Sequence, residues 1–157
     1  MSVEGLKRLK VWVRAKDFAL KIYKQVLPLL PAEEKWNLKQ QLRRSSLSIS
    51  ANIAEGHGRF YYQDNIRFCY IARGSLEETL SHLTFALEMI YISAELYKEF
   101  ETEGEEIDKM LNGYITFLKK SKQGANEPGA NLSVGEESAP YFIESLQDDN
   151  NTEETNL

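Results

Sequence analysis

The chain has 157 residues, 42% of them apolar, and a formal net charge of −5, which fits one domain of ordinary size with a real core. A single cysteine, Cys69, excludes a disulfide framework and a cysteine-based zinc site. The N-terminus lacks a charged-then-apolar leader, and no run of about 18 apolar residues occurs. The expectation is therefore a soluble cytoplasmic protein with no membrane partner. The charge is uneven: residues 1–76 hold 14 Lys/Arg against 6 Asp/Glu, residues 77–120 hold 4 against 10, and residues 121–157 hold 1 against 8. Such a basic half can meet nucleic acid or an acidic partner, or it can face the acidic half of its own bundle or of a neighbouring subunit.

Residues 1–9 read as a flexible lead-in. The first helix is predicted from about Lys10 to Leu27, with Val11, Ala15, Phe18, Ile22 and Val26 on one apolar face; Pro28 and Pro31 bracket its end. The second helix is predicted from near Glu33 to about Gly56. Leu38, Leu42, Ser45, Ile49, Ile53 and Gly56 form a narrow seam in which small residues suit close packing of helix on helix. Gly56 and Gly58 then predict a helix stop with positive φ.

The third helix is predicted from about Gln63 to Tyr91. Ile66, Cys69, Arg73, Leu76, Leu80, Leu83, Leu87 and Ile90 follow a seven-residue repeat. A second stripe, from Phe68 through Ala72, Ser75 and Thr79 to Met89, runs beside it, which is more apolar surface than one face of a small bundle needs. The fourth helix is predicted from an N-cap at Ser93 to about Lys120, with Leu96, Phe100, Ile107, Met110, Tyr114 and Phe117 inside and an interruption at Glu103–Gly104. Residues 121–157 lack periodicity and predict a disordered acidic tail, broken by an apolar island at Tyr141–Leu146. The fold expected is all-α: an antiparallel up-down-up-down four-helix bundle over residues 10–120.

Catalytic arrangements are not visible. His57 and His82 sit on different helices, and no second Glu-x-x-His pair accompanies Glu78 and His82, so neither a metal nor a cofactor is expected. Gly56-His57-Gly58 lacks the preceding strand and the Lys-Ser/Thr of a phosphate loop. Cys69 reads as a small core residue.

Two polar features stand out. Arg44, Ser48, Asn52, Glu55 and Arg59 fall on one helical stripe, either a solvated face or a hydrogen-bonded ladder in which Asn52 and Glu55 fix register. Arg73 occupies an apolar position and calls for a partner, with Glu55 or Glu77 as candidates. Basic residues crowd the first helix from Lys7 to Lys16. They recur at Lys39, Arg43 and Arg44, and at Arg59 and Arg67, where Phe60, Tyr61 and Tyr62 intervene. Aromatic rings among arginines suit RNA contact and suit a subunit interface equally.

Four blocks carry a resemblance: VWVRAKDFALKIYK from Val11, LKQQLRRSSLSIS from Leu38, NIAEGHGR from Asn52 and IRFCYIARGSLEETLSHL from Ile66, followed by MLNGYITFLKK from Met110. Together they resemble the bacterial four-helix-bundle family named for the 23S ribosomal RNA intervening-sequence protein. Ser50 stands where that family often has proline, and the aromatic run 60–62 replaces its usual Ser or Thr cap. The resemblance implies a homo-oligomer, a pentameric barrel of bundles, with no enzymatic activity. A related branch, the accessory variability (Avd-like) protein of diversity-generating retroelements, implies structured RNA or a reverse transcriptase as partner. On this reading Lys39, Arg43, Arg44, Arg59 and Arg67 are candidate nucleic-acid contacts, and Asn52, Glu55, Gly56, Gly58 and Arg73 are structural. The rival reading is an oligomeric protein–protein adaptor that docks through Tyr141–Leu146.

Overall fold

A computed structural model describes residues 3–122 and 124–126. The described residues are helical, with no strand. They form a short α1 (Val3–Arg8) and four longer helices: α2 (Lys10–Lys21), α3 (Leu38–His57), α4 (Tyr62–Glu88) and α5 (Ala94–Ser121). The lead-in is thus helical over 3–8, although none of its residues is buried. Nearly all of the expected acidic tail, including Tyr141–Leu146, lies outside the described residues.

The predicted faces of the first two helices are buried in full. Val11, Ala15, Phe18, Ile22 and Val26 meet Leu38, Leu42, Ile49 and Ile53 in one core. Phe18 packs edge-on against Phe100 of α5 at 5.4 Å between ring centres, the geometry that aromatic quadrupoles prefer.

The link between α2 and α3 departs from the expected single stop. The helix widens into a π turn over Ile22–Val26 and tightens to a 3₁₀ turn at Leu27–Leu29, and Ala32–Trp36 forms another 3₁₀ turn. Proline has no N–H to continue the α ladder, so Pro28 sits where a fresh turn begins. The α-helix proper then starts at Leu38 rather than near Glu33. Glu34 accepts a hydrogen bond from the Leu38 amide at 3.1 Å and another from the Tyr91 hydroxyl at 3.2 Å. One carboxylate therefore caps α3 and ties the α2–α3 link to the α4–α5 link.

Facing residues show how the helices run. Ser45 meets Thr79, Ser48 meets Ser75, and Gly56 meets Asn65 and Phe68. Numbers rise on α3 as they fall on α4, so the pair is antiparallel. Asn65 meets Tyr114, Arg73 meets Asn112, and Thr84 meets Tyr97, which makes α4 and α5 antiparallel too.

Three expectations are corrected. The buried face of α4 is neither predicted stripe alone but the strip between them: Cys69, Ala72, Leu76, Thr79, Leu83 and Ala86. The inner face of α5 turns to Leu111, Ile115 and Leu118, leaving Phe117 exposed. Gly104 does not interrupt α5; a Cβ there would sit 3.0 Å from two carbons of Leu80, so it allows α4 and α5 to approach.

The α4–α5 turn holds Ile90 at φ 59° with 88% of its surface exposed. A β-branched residue is strained in this region. Ile90→Gly should therefore raise stability by about 1 kcal/mol, read as a higher midpoint in urea; an unchanged or lower midpoint would show the turn to be unstrained.

Candidate nucleic-acid interface

The small-residue seam of α3 works through hydroxyls. Ser45 accepts from Thr79 Oγ1 at 2.9 Å, and Ser75 Oγ lies 3.1 Å from Ser48 Oγ. Ser45, Ser46, Ser75 and Thr79 are all buried. Each is also short enough to leave the two backbones close. Asn52 Nδ2 donates to the Ser48 carbonyl at 2.7 Å and to Ser48 Oγ at 2.9 Å. The stripe on α3 is therefore a ladder at the α3–α4 contact in its middle and solvated at its arginine ends.

Gly56 and Gly58 do not have positive φ. Gly56 lies within α3, and Gly58 caps it at φ −74°. What requires glycine is space. A Cβ on Gly56 would fall 2.8 Å from Phe68 Cβ, 2.8 Å from Asn65 Oδ1 and 3.0 Å from the Asn65 carbonyl. A Cβ on Gly58 meets nothing closer than 3.4 Å.

Asn65 is the structural residue that the sequence reading missed. It is buried at the start of α4, donates to the Tyr114 hydroxyl at 3.1 Å and accepts from Cys69 Sγ at 3.6 Å. The signal was its spacing, since 65, 69, 72 and 76 step by four, three and four along the buried strip. Cys69 lies in the core as expected, and burial pushes its thiol up to about 12. Tyr114, half-buried beside Asn65, is raised by desolvation.

The expected carboxylate partners of Arg73 are replaced. Its guanidinium donates to Asn112 Oδ1 of α5 at 3.1 Å and lies 5.1 Å from the centre of the Tyr70 ring. Glu55 pairs instead with Arg59, one turn away. Arg73 is only partly buried, so a neutral amide and a ring face suffice.

The five candidate contact residues do not form one patch. Lys39 and Arg43 lie near the start of α3, while Arg59 and Arg67 flank the α3–α4 turn. Twenty residues of helix separate Lys39 from Arg59, roughly 30 Å at 1.5 Å per residue. Arg44 is held by Gln41 and by an ion pair to Glu78 of α4. Arg59, beyond its pair with Glu55, lies 5.2 Å from the Phe68 ring.

Antiparallel packing gathers a different set. The start of α2, the end of α3, the start of α4 and the end of α5 share one end of the bundle. His57 lies beside Gly5 there, and Gly124 lies beside Phe60 and Tyr61. That pole carries Lys7, Arg8, Lys10, Arg59, Arg67, Lys119 and Lys120. Among the described residues, Arg8, Lys10, Arg67, Lys119 and Lys120 make no ion pair with a carboxylate, and Lys7 makes only an exposed one at 3.8 Å with Glu4. Along the sides three cations are matched across helices, Arg14 with Glu106, Lys21 with Glu103 and Arg44 with Glu78, while among the described residues Lys24, Lys35, Lys39, Arg43 and Lys109 make no ion pair either. The basic half of the sequence thus meets the acidic half of its own bundle along the sides, and leaves excess positive charge at one end.

No described helix is long and apolar enough to cross a membrane. No curated protein matches the chain. A crystal structure from Bacteroides thetaiotaomicron, described as a protein of unknown function from the S23 ribosomal protein family, superposes with a TM-score of 0.62 at 28% identity, covering 67% of this chain and 97% of that one. The sequence pattern of the 23S rRNA-intervening sequence proteins matches residues 7–113. With that match over most of its length, and with the small-residue helical hairpin that bears the matching blocks, the chain belongs to the 23S rRNA-intervening sequence protein family.

Proposed function

We propose that this chain is a non-enzymatic, ring-forming protein that binds RNA. The observation that supports this reading is the pole of cations drawn from α1, α2, α4 and α5, of which Arg8, Lys10, Arg67, Lys119 and Lys120 make no ion pair among the described residues. Such a surface suits a phosphate backbone, whose contacts position a strand without reading its sequence.

The ring rests on apolar residues left open on a single chain: Tyr70, Ile71 and Phe85 on α4, Met89 just past its end, and Phe117 on α5. A head-to-tail contact between unlike faces closes into a ring when its rotation allows. A pentamer is the form that the resemblance implies, and at 18.1 kDa per chain it would weigh about 90 kDa.

Light scattering coupled to size exclusion tests assembly, and a mass near one chain at micromolar concentration would overturn the ring. Titration of a structured RNA at low salt tests the ligand; binding should weaken steeply as salt rises. If no RNA binds at low salt, the nucleic-acid reading fails and the protein–protein adaptor takes its place. Co-purification of a reverse transcriptase with the tagged chain would assign it the accessory role.

A further inference from the structure

An open groove of about 570 Å³ runs between the α1–α2 corner and α5. Lys7, Arg8, Lys10 and Val13 line it from the α1–α2 side, and Lys109 and Met110 from α5. Arg14 and Glu106 also line it, and they neutralise each other. Four cations are left around an aliphatic surface.

This lining discriminates between ligands. A bare inorganic anion would gain nothing from Val13 and Met110. A peptide could not add a strand here, because the walls are helices whose backbone groups bond internally, so only a peptide with acidic side chains would match the cations. A nucleotide needs cations for its phosphates and an apolar surface for its base, and the groove supplies both.

We propose that this groove holds a nucleotide of a single-stranded RNA segment, its phosphates on Lys7, Arg8, Lys10 and Lys109 and its base against Val13 and Met110. The proposal rests on the RNA reading above and locates its contact. None of the five contact residues expected from the sequence lines this groove.

The test uses the full-length protein, a fluorescently labelled 12-residue oligouridylate and anisotropy across a salt series. Lys7, Arg8 and Lys109 are exposed and none is needed for the core, so Lys7→Ala/Arg8→Ala/Lys109→Ala should fold. It should weaken binding at least tenfold at low salt and flatten the salt slope by about 2, since each contact on a single strand contributes about 0.7. Lys39→Ala/Arg43→Ala, at the far end, should leave both quantities unchanged. An abasic oligonucleotide of equal length should bind wild type more weakly. Equal binding by wild type and the triple variant would overturn the groove while leaving the RNA reading intact. Absence of wild-type binding to any RNA would overturn both. Equal affinity for the abasic strand would remove the base contact. Displacement of the RNA by an equimolar peptide of residues 141–149 would make this an acidic-peptide site and overturn the proposal.

Discussion

Gly56→Ala should destabilise the bundle by about 1–3 kcal/mol, the usual cost of an added carbon in a packed contact, whereas Gly58→Ala should be close to neutral. At position 56 the new methyl meets Phe68 Cβ and the Asn65 carbonyl, both fixed to the α4 backbone. The helices must therefore part, which loosens the hydroxyl contacts further along the seam. At position 58 the backbone is in the right-handed region and the nearest atoms are at ordinary contact distance. Thermal melts of the two variants provide the check, with a fall of roughly 2–4 °C per kcal/mol for a chain of this size. If Gly56→Ala melts with wild type and Gly58→Ala does not, the glycines serve chain reversal and not helix approach.

Removing residues 127–157 should leave the melting curve of the bundle unchanged and tighten RNA binding several-fold at low salt. The deletion takes away eight carboxylates and no Lys or Arg, so the formal charge moves from −5 to +3 per chain. An acidic segment competes with phosphates for the same cations, and in a ring every copy adds to that competition. The advantage should shrink as salt rises, because screening weakens long-range repulsion between the segment and RNA. Affinity measured for both chains across a salt series decides it. An equal affinity at every salt concentration would remove the competitive role. A truncated chain that no longer assembles would instead make Tyr141–Leu146 part of a subunit contact.

Much of the fold could be read from residue spacing, because it depends on local periodicity. The apolar face of α2 and the seam of α3 are buried residue for residue, and Ser93 caps α5 by accepting from the Leu96 amide at 3.1 Å. The α2–α3 link was not legible in detail. Two prolines announce that a helix ends, but the π and 3₁₀ turns depend on how Leu27 and Leu30 reach the core. The glycines were misassigned because a Gly-x-Gly at a helix end has two uses, and only the neighbouring helix distinguishes them.

The candidate site was less legible than the fold. The cations of α1 and α2 stood out as a cluster, yet Lys109, Lys119 and Lys120 come from the half of the chain that is acidic on balance. Antiparallel packing joins the two sets, and a count of charge by sequence segment averages that junction away. Arg44 illustrates the converse: in sequence it belongs to a basic run, but in the fold it is occupied by Glu78.

The Ser45–Thr79 and Ser48–Ser75 contacts also bear on how this protein can change. A smooth apolar seam would let α3 slip along α4 by one turn, about 5.4 Å, and repack at modest loss. Here a slip takes the buried Ser45 hydroxyl away from Thr79 with no water to receive it, at a cost of about 1–3 kcal/mol, and drives side chains of α4 against the tight Gly56 contact. The hairpin therefore behaves as a ruler with a single setting. Substitutions on the outer faces of α4 and α5 can accumulate without shifting that setting, so the geometry of the cationic pole can persist while its individual side chains, and with them the partner, diverge.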